Sequence, residues 1–276
     1  DDENFVPDVM RFLDNVLTDF TEKAPESFSD AVYSALKERS VGLGVMGLHS
    51  FFQQKMIPFE SVMSKVWNKK IFESIQKQVD QASKDLADER GACPDAADYG
   101  INERFSNKTA IAPTASISII CGGTSPGVEP IAANSYTHKT LSGSFNVRNK
   151  YLSKLLEKHG KNDDETWSSI TTNQGSVSHL DFLTQQEKDV FKTAFELDQK
   201  WIVELGADRT PHISQAQSIN IFIPADIHKR DLHQIHFQAW KKGLKSLYYC
   251  RSKSIQRAEN VNDANSTDVT ANVYKS

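Results

Sequence analysis

Ile111-Ala112-Pro113-Thr114-Ala115-Ser116-Ile117-Ser118-Ile119-Ile120 carries the chain from one apolar run, across small and turn-forming residues, into another. Residues 107–112 read as a short strand, Pro113 to Ser116 break it, and residues 117–120 resume the apolar pattern before the loop Gly122-Gly123-Thr124-Ser125-Pro126-Gly127. A strand that runs into small hydroxyl residues and then a helix start suits an anion: free amides at the helix start point outward, and the peptide dipoles favour negative charge. Thr114 and Ser116 would add hydroxyl donors. The same window also fits a plainer use, Ser116 as an N-cap and Thr114 as a turn residue. Because capping serines are so common, the window by itself favours that use.

Working outward, the same alternation of helix and short strand recurs. Upstream, Phe5, Val9, Leu13, Val16 and Phe20 recur at helical spacing and form a stripe that needs a partner. A polar turn at residues 26–30 and a short helix follow. Three glycines, Gly42, Gly44 and Gly47, then stand among apolar residues, where they permit close backbone approach. Residues 58–90 predict the longest helix, with Trp67, Ile71, Ile75, Val79, Ala82 and Leu86 on one face and Gly91 ending it. Downstream, helices are expected at 150–159, 185–206 and 229–244, and strands at 218–223 and 246–250. The predicted class is α/β with parallel strands.

Composition narrows the function classes. The 276 residues can bury a substantial core, and 32 basic against 36 acidic residues give a formal net charge of −4 with both signs interspersed. No basic footprint for a nucleic-acid backbone is present. No stretch has the length and apolarity of a membrane span, and the acidic start is unlike a secretory signal, so a cytoplasmic location is expected. Cys93, Cys121 and Cys250 are far apart and make no CxxC pair, which argues against a disulfide framework or structural zinc.

Other candidates are weaker taken singly. Tyr248-Tyr249 falls on the expected strand 246–250, where alternation would send one ring to a core and the other to an interface. His228, His233 and His236 lack the spacing or acidic company of a metal set and read as hydrogen-bonding or solvated residues. The three glycines lack the strand and downstream acid of a dinucleotide fold, and neither a nucleophile elbow nor a phosphate-binding P-loop is present.

In order, however, these segments resemble one family closely. Val41-Gly42-Leu43-Gly44-Val45-Met46-Gly47-Leu48, Pro58-Phe59-Glu60-Ser61 and residues 82–91 resemble blocks of the large subunit of aerobic, class I ribonucleotide reductases. So do residues 112–117, Gly127-Val128-Glu129-Pro130, Leu141-Ser142-Gly143-Ser144-Phe145, residues 215–220 and residues 240–249. The resemblance implies the carboxy-terminal portion of that subunit, contributing the second half of a ten-stranded α/β barrel over residues 1–257, with residues 258–276 a polar, disordered tail. It implies that Pro113, Thr114, Ala115, Ser116 and Ile117 hold the diphosphate of a ribonucleoside diphosphate. It also implies that Tyr248 and Tyr249 relay a radical, a task for oxidisable, hydrogen-bonded side chains.

Departures from the family pattern shape the rest of the expectation. The family's N-x-C-x-E segment, its reducing cysteines, its carboxy-terminal cysteine pair and its amino-terminal allosteric domain have no counterpart here, and Cys250 reads as a small buried residue. This chain is therefore expected to bind no cofactor itself. The resemblance implies a metal centre and radical supplied in trans by a small subunit, an external dithiol reductant, and catalytic cysteines from the amino-terminal portion of the large subunit. The alternative is a non-catalytic module that binds a nucleoside diphosphate or the small subunit. No nucleic-acid or membrane partner is expected.

Overall fold

A computed structural model of the protein describes residues 3–140 and 143–253. The expected tail at 258–276 lies outside the described residues, as do Leu141 and Ser142 of one family-like block. In chain order the helices and strands are α1 Phe5–Lys23, α2 Ser29–Glu38, α3 Leu48–Gln54, α4 Val62–Arg90, α5 Pro94–Ala97, α6 Ile117–Ile120, β1 Ser135–Thr140, β2 Gly143–Arg148, α7 Lys150–Lys158, α8 Asp164–Thr172, α9 Gln185–Val190, α10 Gln199–Arg209, β3 Ile221–Pro224, α11 Lys229–Lys241 and β4 Cys250–Lys253.

Four extended segments line up in parallel. Leu43 bridges to Thr109, Ile111 to Gln217, and β3 pairs with β4 with Ile221 opposite Cys250. Between them the ladder is carried by Val41 N–H to Asn107 O, Ser218 N–H to Ile111 O and Tyr248 N–H to Ile219 O, at 2.8–2.9 Å. The parallel order is therefore segments 41–43, 107–111, 215–224 and 248–253, as the α/β pattern predicts. The β1–β2 hairpin is antiparallel, with Ser135 opposite Arg148, and was not foreseen.

The glycine segment does what its composition suggests. A Cβ on Gly44 would stand 2.3 Å from the Ala110 carbonyl oxygen, and one on Gly42 would stand 3.0 Å from the Ala110 Cβ. Segments 41–43 and 107–110 can approach this closely only with glycine on one side.

Helix α4 starts where Ser61 accepts from the Ser64 amide at 3.1 Å and ends at Gly91, whose φ of 87° suits glycine. Its lower half packs Val79, Ala82 and Leu86 against Val6 and Met10 of α1, together with Val41 and Phe105. Its upper half joins a core of Phe52, Phe59, Phe72, Ile111, Val128, Leu205, Ile219 and Phe222. Asn68 on α4 donates to Leu205 O at 2.9 Å and accepts from Arg209 of α10, which also donates to Gln217 on the third parallel segment. That buried guanidinium bonds to the neutral oxygens of Asn68 and Gln217 and lies over the Phe72 ring, and burial pushes its pKa down to about 9 against the pull of Asp208.

One expectation is corrected and one is met in part. The helix expected over 185–206 is two helices, because Phe191 and Ala194 turn into the core and the chain corners there. Ala194 N–H donates to Ile131 O at 2.7 Å, and Glu60 holds both the Asp198 amide and Lys192. Asp198 then caps α10 by accepting from the Lys200 amide. The stripe Phe5, Val9, Leu13, Val16 and Phe20 is packed only in part among the described residues: Leu13 lies against the core that buries Val6 and Met10, whereas Phe5, Val16 and Phe20 are exposed and still lack a partner surface.

Candidate functional site

Thr114 is the pivot of the loop that follows the second parallel segment. Its φ of 51° is left-handed, a conformation a β-branched residue adopts only when its surroundings require it. The requirement is visible: the Thr114 hydroxyl oxygen accepts from the Gly127 amide at 2.7 Å, closing residues 114–127 into a ring. Gly127, with φ 47°, lies so near the Ala112 carbonyl that a Cβ would meet it at 3.0 Å. The glycine segment braces the loop from outside. Gly47 N–H donates to Ser125 O at 2.8 Å, and Ser50 and Ser125 exchange amide-to-hydroxyl bonds at 3.1 and 2.9 Å.

Helix α6 begins within this loop. Ser118 N–H returns to Thr114 O at 2.9 Å, so the amides of Ala115, Ser116 and Ile117 precede that bond, as at any helix start. Ser116 sits at the N-cap position but its side chain makes no capping bond. The plainer use of Ser116 as a cap is thereby removed, and its side chain is exposed. Pro113, Thr114 and Ala115 are half-buried and Ile117 is exposed.

The tyrosine pair departs from its expected arrangement. Tyr248 and Tyr249 precede β4, and their rings lie together instead of on opposite faces, with centroids 4.1 Å apart and planes tilted by 51°. The Tyr248 hydroxyl donates to that of Tyr249 at 3.3 Å, and this bond raises the Tyr248 pKa. Strand alternation fails because neither residue is yet in regular strand geometry: their amides donate to Ile219 O and to the side chain of Asn220 respectively. Both rings are about half exposed. The Arg251 guanidinium lies 5.5 Å from the Tyr249 ring centroid.

Register relates loop and tyrosines. Ile111 pairs with Gln217 just before the loop, and Cys250 pairs with Ile221 on the other side of the same segment, so Tyr249 comes level with Asn220. Sequence reasoning missed Asn220, Glu129 and Arg251, all gathered here. Glu129 is buried, and burial pushes its pKa up to about 7 against the opposing pull of Asn220 and Arg251. No pattern of residue types marks these three; Glu129 and Asn220 were noted only within family-like blocks.

The remaining candidates lie elsewhere. His228 caps α11 through the Arg230 amide, His233 stacks on Phe237, and His236 meets Leu232 O. Among the described residues no cluster of three potential metal ligands occurs. Cys93 is buried but Cys121 and Cys250 are exposed, which corrects the expectation for Cys250, since the start of β4 lies at the surface. No described helix is long and apolar enough to cross a membrane.

The parallel segments and their helices define an α/β protein with a braced loop at a helix start and a pair of contacting tyrosines. The family described as "Ribonucleotide reductase, barrel domain" matches residues 2–103 and 95–250, and the chain belongs to that family. It is 51% identical over 95% of its length to the ribonucleoside-diphosphate reductase large subunit of Invertebrate iridescent virus 6, of which it covers 27%. To large chain 2 of the Saccharomyces cerevisiae enzyme it is 33% identical over 83% of its length, covering 30% of that chain. The solved class Id ribonucleotide reductase alpha subunit of Actinobacillus ureae superposes with a TM-score of 0.84 at 37% identity, over 95% of this chain and 47% of that one. The chain thus spans between about a quarter and a half of the length of these relatives.

Proposed function

We propose that the chain is the carboxy-terminal part of a class I ribonucleotide reductase large subunit, and that it works only when joined by a polypeptide supplying the catalytic cysteines. Residues Pro113, Thr114, Ala115, Ser116 and Ile117 hold the substrate diphosphate through amides and hydroxyls. Tyr248 and Tyr249 form the protein end of a radical path whose source is the small subunit. The four parallel segments are read as part of the second half of a ten-stranded barrel. The observation that carries this reading is that the segment leading into the strained Thr114 loop and the segment following the contacting tyrosines both pair with the third parallel segment.

Physical chemistry supports each role. An uncapped helix start with exposed amides and hydroxyls suits phosphate oxygens, and strain at Thr114 is the kind of cost that persists where it preorganises a site. Two phenols in ring contact and sharing a hydrogen bond suit one-electron transfer, because the proton of one has a neighbour to receive it. The phosphates belong to a ribonucleoside diphosphate, the class of substrate in the relatives' names. The dithiol reductant and the metal-based radical come from other chains.

Reconstitution tests the reading. The chain, a polypeptide carrying the remaining large-subunit sequence, a small subunit and a dithiol should together convert a ribonucleoside diphosphate to its deoxy form. Tyr248→Phe or Tyr249→Phe should abolish turnover while leaving nucleotide affinity within about twofold, a change under 0.5 kcal/mol. Nucleotide binding with no turnover under any combination would instead make the chain a non-catalytic binding module.

A further inference from the structure

Two buried polar atoms beside the tyrosines, Glu129 Oε1 and Asn220 Nδ2, close no hydrogen bond of good geometry, although the Glu129 carboxyl feels the Asn220 amide. Buried donors and acceptors are almost always paired, so an unmet acceptor and an unmet donor in one cluster ask for an explanation. Glu129 is 7% exposed and Asn220 not at all. Nor can the amide exchange its ends freely, because Asn220 Oδ1 accepts from the Tyr249 amide at 2.9 Å. Glu129 is itself tethered to the loop, two residues beyond the Gly127 amide that Thr114 holds. A continuous line therefore runs from Thr114 through Glu129 and Asn220 to the Tyr249 backbone.

We propose that Glu129 is a positioning residue for the tyrosine pair, acting through Asn220. When ionised, the carboxylate draws the Asn220 amide and the Arg251 guanidinium, and Asn220 and Arg251 in turn set how the Tyr249 ring rests against Tyr248. When protonated it releases both. The significance of this for radical transfer rests on the relay reading above, but the positioning itself does not.

The groups tied to Glu129 are Asn220 ahead of β3 and Arg251 on β4; these in turn meet Tyr249, which touches Tyr248 and precedes Cys250, and His49 on α3 meets the chain two residues beyond Glu129. His49 accepts from the Ile131 amide at 3.0 Å, and burial pushes its pKa down to about 3, so it stays neutral near pH 7. Burial raises the Cys250 thiol, and the hydrogen bond to Tyr249 raises Tyr248. Glu129, pushed up to about 7 by burial, is the carboxylate of this cluster poised to change charge near neutrality.

The test places 3-fluorotyrosine at position 249 of the full chain and follows its fluorine resonance from about pH 5 to about pH 8, above the ordinary carboxyl value and below the ionisation of the labelled phenol. The expected result is a transition centred near 7 that Glu129→Gln abolishes and Glu129→Asp restores. The same label at Tyr33, far along the chain, should show no such transition. A flat wild-type signal overturns the proposal without any variant, so a misfolded variant cannot shelter it; a transition that survives in a folded Glu129→Gln chain also overturns it. In the reconstituted enzyme Glu129→Gln should lower kcat about tenfold at unchanged KM, the effect of one lost hydrogen bond in the reacting state. If the resonance titrates as expected but Tyr249→Phe leaves turnover intact, positioning stands and the relay reading falls.

Discussion

Asp14 has no accessible surface, yet its carboxylate receives Arg39 and Arg104 on Oδ1 at 2.9 Å and Arg90 on Oδ2 at 2.8 Å. Burial tends to raise its pKa, but the three arginine hydrogen bonds outweigh burial and hold it below the usual carboxylate range. One acid thereby joins α1, α4, the end of α2 and the segment after α5. Asp14→Asn should cost about 3–5 kcal/mol in urea unfolding, because guanidiniums are left without their counter-charge. Since folding depresses this pKa, its stabilisation is complete above the unfolded value of about 4 and disappears as pH falls through the lower folded value. The wild-type unfolding midpoint should therefore drop on acidification over that window, and the Asp14→Asn midpoint should drop less. Ser116 offers the opposite contrast. With no cap to lose, Ser116→Ala should leave thermal stability unchanged, where a capping serine would cost about 1 kcal/mol, and should weaken nucleoside diphosphate binding measured by calorimetry. None of the Asp14 partners is near it in sequence, so no local pattern could have assembled them.

At the scale of elements, periodicity located helices well and corners poorly. Helix α4 was legible because its apolar residues repeat from Trp67 to Leu86 and Gly91 stops it. The corner between α9 and α10 was not, because Phe191, Ala194 and Leu197 continue a plausible helical pattern while serving a core on the other side of a bend. What bends the chain is Glu60, about 130 residues away, which accepts from the Asp198 amide at 2.6 Å. The glycine segment was legible because only close approach explains three glycines among apolar residues. Gly44→Ala should force segments 41–43 and 107–110 apart, costing about 1–3 kcal/mol in urea unfolding. Because the same segment braces residues 124–125, diphosphate affinity should fall as well.

Across the whole molecule, the parallel segments sit between cores that bury one face of each long helix, but the outer side of α1 remains bare. Phe5, Phe12, Val16 and Phe20 are exposed there, and Phe28, Tyr33 and Leu36 continue the apolar surface onto the neighbouring turn and α2. Such a surface is what a contact with a further part of the protein requires. The relatives' additional length provides a source for that contact. Phe12→Glu combined with Val16→Glu should leave the unfolding midpoint within about 0.5 kcal/mol of wild type, since neither side chain is packed. The same pair of changes should abolish association with the remaining large-subunit polypeptide in sedimentation.

By itself the sequence determined the α/β alternation, the close glycine contact, the α4 helix and the residues of the 113–117 loop. These are written in local spacing and in ordered family-like blocks, and local spacing is what periodicity and turn chemistry encode. Only the tertiary structure decided that Ser116 is not a cap, that Tyr248 and Tyr249 face each other, and that Glu129 and Asn220 lie beneath them. Each of those depends on the register between segments well separated in sequence or on the backbone conformation of one loop. Residue types alone specify neither, because the same serine, tyrosine or glutamate satisfies a surface role equally well until packing removes its alternatives.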